Sequence, residues 1–346
     1  MSHANTPSSR RTLLKGTLAV AAAPAIITSA SAQEKVTWRL QAHYPKASTS
    51  FSGNVAVMAE EVKARTDGRF TIEALGAGEI AKGREIFNIV RRGVTEMGTA
   101  NPGYNLGESE LMGLFVGVPG TLRNSWEQMH FTKNLGLENA LNETLRPKGL
   151  IMKAAMALPN ELVLKEKITA DTNLSSIKVR SSGNIVDYLE SAGFAPQQIA
   201  GPELYQALAT GVVDGAHWGG TQGALSMKLW EVAPIHMMPS LLISNDTYMI
   251  NVKAYDELPD DLRRILTSVL EERYLGYSIG YNHREAIALT TGIEKMGVEV
   301  QQFPDEIMAR FAEASKSLLE REIAKGPLAK EYGETLSGLM RDLGYI

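Results

Sequence analysis

Arg180 closes the run SIKVR, directly behind the apolar Ile177 and Val179. A guanidinium at the end of a buried strand costs desolvation unless an anion meets it. Three partners are chemically open: a carboxylate of the same chain, a phosphate, or a ligand that comes and goes. Asp214, in VVDGAHW, is the simplest internal partner, although an Asp-Gly after two valines serves equally well as a strand or turn element. Other polar and aromatic residues also stand just behind strand-like runs. His43 and Tyr44 follow VTWRLQA, Asn101 follows VTEMGTA, Trp218 closes VVDGAHW, and Asn245 lies in ISNDTY. Open α/β sheets bind ligands at these carboxyl ends, so the set reads as the lining of a cleft.

Enzyme chemistry finds little support in the same sequence. G-x-S-x-G and H-E-x-x-H are absent, and His43, His130, His217, His236 and His283 are scattered rather than set at metal-ligand spacing. Gly78 to Gly83 followed by Arg84 imitates the start of a phosphate loop but lacks the Lys and Ser/Thr that would hold phosphate and Mg²⁺. Glu60-Glu61 and Asp260-Asp261 read as solvated faces and helix-start charges rather than as an acid/base dyad. The chain has no cysteine, which removes disulfides, thiolate metal sites and cysteine nucleophiles together.

The first residues read as an address. SSRRTLLKG carries twin arginines, Arg10 and Arg11, ahead of a modest apolar run from Thr17 to Ile27 that ends in Ala30-Ser31-Ala32. This is the pattern of a twin-arginine export signal, with cleavage expected after about Ala32. Its apolar run is well short of the roughly 20 residues a membrane span requires. Loss of Arg10, Arg11 and Lys15 takes the net charge from −4 to −7. That acidity argues against nucleic acid or an anionic membrane surface as a partner, and the mature protein is expected to be periplasmic without inserting into a membrane.

The elements that must position these residues alternate between strand and helix. Val36 to Ala42 reads as a first strand, and Phe51, Val55, Met58, Ala59 and Val62 mark one apolar face of a helix over about 48–66. A strand at 69–75, a helix near 84–92 and a strand ending at Ala100 complete a βαβαβ half-module. A helical middle, about 125–146, precedes a second pass. There LIMKAAM and ELVLKEK read as two strands, then SIKVR, a helix at 184–192, APQQIA, a helix at 202–210, VVDGAHW and a helix at about 221–231. From Asp260 the chain reads as helical for some thirty residues, far above the mean helix length of about 11–12. Two α/β lobes around a cleft, braced by one long helix, follow from this order.

At this level the sequence resembles the DctP-type solute-binding proteins of TRAP (tripartite ATP-independent periplasmic) transporters. The resemblance rests on Lys178-Val179-Arg180, then Ala192-Gly193, Glu203-Leu204-Tyr205-Gln206-Ala207-Leu208 and Gly211-Val212-Val213-Asp214-Gly215 in register. TYMINVKAYDELPDDLRRIL, Thr247 to Leu266, adds the late strand and the helix start behind Leu-Pro. The family implies an α/β, two-lobed periplasmic binding protein fold that closes over one small ligand and delivers it to TRAP membrane permease subunits. The expected division is a leader at 1–32, one lobe mainly in 33–155, a second mainly in 156–250, and bracing helices in 251–346.

The resemblance also assigns roles. It makes Arg180 the anchor of a ligand carboxylate, because a planar, always charged guanidinium grips two oxygens at once, and it gives Asp214 to a structural turn. It places Trp218 against the ligand and Asn160, in MALPNEL, near a second polar contact, while His43, Tyr44, Asn101 and Asn245 fall in cleft-lining loops. Sialic-acid-binding members use a second arginine and an aromatic residue; no second arginine stands near Asn160, and Gly201 stands near the aromatic's position. Members that bind 2-oxo acids with a metal use an acidic ligand behind a proline, where this chain has Ser240-Leu241-Leu242 after Pro239. The expectation is therefore no metal, no cofactor, and a small organic anion, first a monocarboxylate. A sulfonate, a subunit of an ATP-driven transporter and a periplasmic enzyme are the alternatives.

Overall fold

The computed structural model describes residues 35–346, which form one compact unit; the expected leader, 1–32, lies outside the described residues. Nine strands make a single sheet: β1 (Val36–Ala42), β2 (Phe70–Leu75), β3 (Met97–Ala100), β4 (Leu150–Leu164), β5 (Lys178–Ser181), β6 (Ala195–Gln198), β7 (Gly215–His217), β8 (Ile235–Asn251) and β9 (Glu299–Gln302). Their order is β2-β1-β3-β8-β4-β7-β5-β6, with β9 also on β8. Both outer wings, β2-β1-β3 and β7-β5-β6, are parallel. They are joined through an antiparallel central pair, β4 and β8, whose 15 and 17 residues run through both halves of the molecule.

Each wing forms for the reason its sequence gives. In β1, Leu40 and Ala42 are buried under the helix Ala56–Arg65, where Met58, Ala59 and Val62 supply the expected apolar face. That helix is entered through a wider π-type turn at Phe51–Val55. The second wing repeats the scheme with Asn184–Ala192 and Leu204–Ala209, and Gly193, at φ 105°, ends the first of these as a left-handed C-cap.

Several elements differ from expectation. LIMKAAM and ELVLKEK are not two strands but one, since β4 passes straight through Pro159. It accommodates the interruption with register shifts between Ala154 and Met156 and between Asn160 and Leu162. The expected boundary between 155 and 156 thus falls inside β4. The helical middle has the expected extent but is broken, into Ser125–Met129, a π-type turn His130–Asn134, Leu137–Leu145 and a short turn Arg146–Lys148. VVDGAHW contributes only Gly215–His217 to the sheet.

The long helix spans Asp260–Met296, 37 residues. Arg273 donates to the Gly53 carbonyl, and Ser278 accepts from the Ala157 amide at 2.9 Å. Farther along, Glu285 accepts from the Thr221 hydroxyl at 2.6 Å. One rigid element therefore holds the first wing, the central pair and the second wing, as a brace does.

Candidate ligand-binding site

A small cavity, about 50 Å³, opens where the two wings face each other across the central strands. The carboxyl ends of the parallel strands deliver His43 and Tyr44 behind β1, Asn101 behind β3, Arg180 within β5 and Trp218 behind β7, and all of them line it. Asn160 lines it from β4, where its amide donates to the Ser244 hydroxyl at 2.7 Å. Six of the seven residues singled out in the sequence therefore share one cavity.

Asn245 does not. Alternate residues of β8, Ser244 and Asp246, face the cavity, and Asn245 between them points to the other side of the sheet. There its amide donates to the Phe115 carbonyl and the Thr132 hydroxyl, and its carbonyl accepts from Tyr274 at 2.7 Å. It is a satisfied core residue, and the cavity-lining side chains of ISNDTY are its neighbours, Ser244 and Asp246.

The surroundings of Arg180 answer the question its position raises. The side chain is 2 % exposed; Nε donates to the Ile199 carbonyl at 3.0 Å and Nη1 to the His217 carbonyl at 2.8 Å. These bonds hold the guanidinium still without neutralising it. Among the described residues no carboxylate lies within 4.0 Å of it, and burial works against its charge while the nearby Tyr104 phenol supports it. Asp214 is occupied elsewhere: its carboxylate accepts from the Lys178 amide at 2.9 Å, pinning the start of β5. Trp218 covers the guanidinium, which lies 5.2 Å from its ring centroid.

Among the described residues, Asp246 is the only Asp or Glu on the cavity wall. It accepts from the Tyr44 hydroxyl and, at 2.8 Å, from the Asn101 amide, and His43 Nε2 stands 3.6 Å away. The His43 imidazole packs on Tyr44 with ring centroids 3.9 Å apart. Burial lowers its pKa, Asp246 opposes that shift, and Arg180 adds to it. His217, also on the wall, is held well below the ordinary histidine range by burial and then by Arg180, and bonds Ser181 at 3.0 Å. Both shifts favour the neutral imidazole, and the remaining formal charges on the wall belong to Arg180 and Asp246.

Tyr104, His217 and Asp246 escaped the sequence reading. Tyr104 lies in PGYNLG, one turn beyond Asn101, whose side-chain Oδ1 accepts from the Gly103 amide at 2.9 Å and shapes that turn. A strand-end rule that looked one turn farther would have found it. Among the described residues, no helix is long and apolar enough to cross a membrane, and no cluster of three or more His, Cys, Asp or Glu side chains could hold a metal ion.

Two wings on long shared strands, with a closed-in polar cavity and an unpaired arginine between them, define a solute-binding protein. The chain belongs to the DctP family, bacterial extracellular solute-binding protein family 7, whose model matches residues 41–325. These are the solute-binding proteins of TRAP transporters. It is 25 % identical over 303 residues to a monocarboxylate 2-oxoacid-binding periplasmic protein of Nostoc, covering 86 % of this chain and 82 % of that one. A TRAP periplasmic solute-binding protein from Pseudoalteromonas atlantica, solved with bound sodium and pyruvate, superposes with a TM-score of 0.82 at 25 % identity, over 90 % of this chain and 95 % of the other. A TRAP solute-binding protein from Bordetella bronchiseptica, solved as a dimer with calcium and picolinate in its active site, shares the fold with a TM-score of 0.83 at 23 % identity, over 90 % and 93 % of the two chains.

Proposed function

We propose that this chain captures a small organic acid, first a monocarboxylate, in the periplasm and presents it in a closed form to TRAP permease subunits. The ligand's carboxylate pairs with Arg180; Trp218, Tyr104 and Asn160 fix its body; His43, Tyr44 and Asn101 complete the wall. No catalytic step is involved, and relatives of the family act as binding proteins. Export through the twin-arginine route and cleavage near Ala32 belong to the same reading.

The single observation that carries it is a guanidinium buried in a cavity, held rigid by two carbonyls, with no carboxylate within 4.0 Å among the described residues. Such a charge is costly until an anion arrives, so the same group that penalises the empty site selects the ligand. The size of the cavity favours acids of a few heavy atoms over sugar acids. The relatives that bind 2-oxo acids and pyruvate point the same way.

A thermal-shift screen of small carboxylates and sulfonates, followed by titration calorimetry of the best ligand, tests the reading. Arg180→Ala is expected to weaken binding by about 2–5 kcal/mol, as when one side of a buried charge pair is lost. Affinity of that variant close to wild type would remove Arg180 from its role and the proposal with it.

A further inference from the structure

We propose that the acid bound here carries a hydrogen-bond donor, a hydroxyl or an N–H, outside the carboxylate that Arg180 holds, and that Asp246 selects for it. This inference rests on the reading of the cavity as a small-acid site with Arg180 as anchor.

Asp246 is 5 % exposed and stands on the same wall as the arginine. Its charge is met by the neutral donors Tyr44 and Asn101, and no Lys or Arg lies within 4.0 Å of it among the described residues. An ionised carboxylate offers roughly four lone-pair positions. Asn101 uses one on Oδ1 and Tyr44 one on Oδ2, while His43 at 3.6 Å is beyond hydrogen-bonding distance. The remaining positions belong to a side chain on the cavity wall. His43 and Tyr104 each feel both Arg180 and Asp246, so the two charges flank one small space.

A ligand oxygen without a hydrogen, set against that carboxylate, would leave two acceptors facing each other in a dry site. A hydroxyl or N–H would complete it. Sites built to pair with a donor reject the analogue that lacks it far more strongly than apolar pockets reject a missing methylene. Tyr44 and Asn101 also fix the carboxylate in place, so it cannot turn away from a mismatched ligand.

Two matched pairs of probes isolate the effect: lactate against pyruvate, and pyroglutamate against the lactone in which ring oxygen replaces its N–H. All four are titrated calorimetrically, as potassium salts in sodium-free buffer with potassium EDTA, into wild type, Asp246→Asn and Arg180→Ala. In wild type the donor-bearing member of at least one pair is expected to bind about 100-fold or more tightly than its partner. In Asp246→Asn, whose amide can itself donate, that ratio collapses or inverts; a merely structural Asp246 would weaken both members alike. Equal affinities within each pair, or an unchanged ratio in Asp246→Asn, overturn the inference while Arg180→Ala still reports on the anchor. Binding of pyruvate that appears only when calcium or sodium is restored, and is lost in Asp246→Asn, would make Asp246 a cation ligand and also overturn it. If no probe binds wild type, the small-acid reading itself falls and takes the inference with it.

Discussion

Glu285 shows how a single buried side chain sets a pH response away from the ligand. Its Oε2 accepts from the Thr221 hydroxyl at 2.6 Å and the Gln222 amide at 3.2 Å, while its buried Oε1 has no hydrogen-bond partner among the described residues. Burial and then the Glu161 carboxylate push its pKa up to about 7, against the support of Thr221, Gln222 and Tyr281. Glu161 itself is held by His236 at 2.9 Å and Ser240 at 2.8 Å. An acid whose pKa is raised on folding binds its proton more tightly in the folded state. Its cost is therefore absent below about pH 4.5 and grows as pH rises through the folded pKa near 7. The shift corresponds to roughly 3 kcal/mol at full ionisation. Glu285→Gln should therefore change stability little near pH 4 and raise it by up to about 3 kcal/mol at pH 8. Urea unfolding of both proteins across that range checks it, and a difference that does not grow with pH would show that Glu285 ionises at no cost.

At the scale of elements, what was legible depended on how the chain punctuates its strands. The wings were read in their order because helices separate their strands, four of which have only three or four residues, although VVDGAHW overran β7. The central pair was not: from Leu241 to Asn251 every residue of β8 is buried. With both faces covered there is no apolar/polar alternation to fix which side chain faces where. Asn245 and Asp246 could not be told apart on that basis, and Pro159 made one long strand look like two. Gly201 shows a pattern that only coordinates explain. A Cβ there would lie 2.2 and 2.4 Å from the six-membered ring of Trp218, so the glycine exists to let the indole lie over Arg180. Gly201→Ala should displace the ring and weaken ligand binding by roughly tenfold, about 1.4 kcal/mol. Combining it with Trp218→Phe, which shortens the ring, should recover part of the loss relative to additivity. Calorimetry of the three variants provides the cycle; strict additivity would mean that the two residues do not act through each other.

For the whole molecule, the proposed closure would move the outer wings about the long helix and the paired central strands. The two wings touch beside the cavity. Arg84 donates to Gln198 across the gap, and a Cβ on Gly103 would stand 3.1 Å from the Gly183 Cα. Backbone meeting backbone at that distance makes a side chain at Gly103 press on the facing loop, so PGYNLG and SSG are the two loops that the proposed closure would bring together. A ligand can shift that equilibrium only through contacts it makes in the closed state. Arg180 and Trp218 come from one wing, and His43, Tyr44 and Asn101 from the other. Ligand addition should accordingly shrink the radius of gyration in small-angle X-ray scattering. Gly103→Val should resist that contraction and lower the apparent affinity in proportion to the closed fraction it removes, on the order of tenfold for each 1.4 kcal/mol of closing energy lost. A Cβ at Gly103 would also stand 2.7 Å from Asn101 Oδ1 in its own turn, so the unfolding midpoint of the ligand-free variant should fall below wild type as well. Full contraction of Gly103→Val with unchanged affinity would mean that the loops do not meet in the bound state.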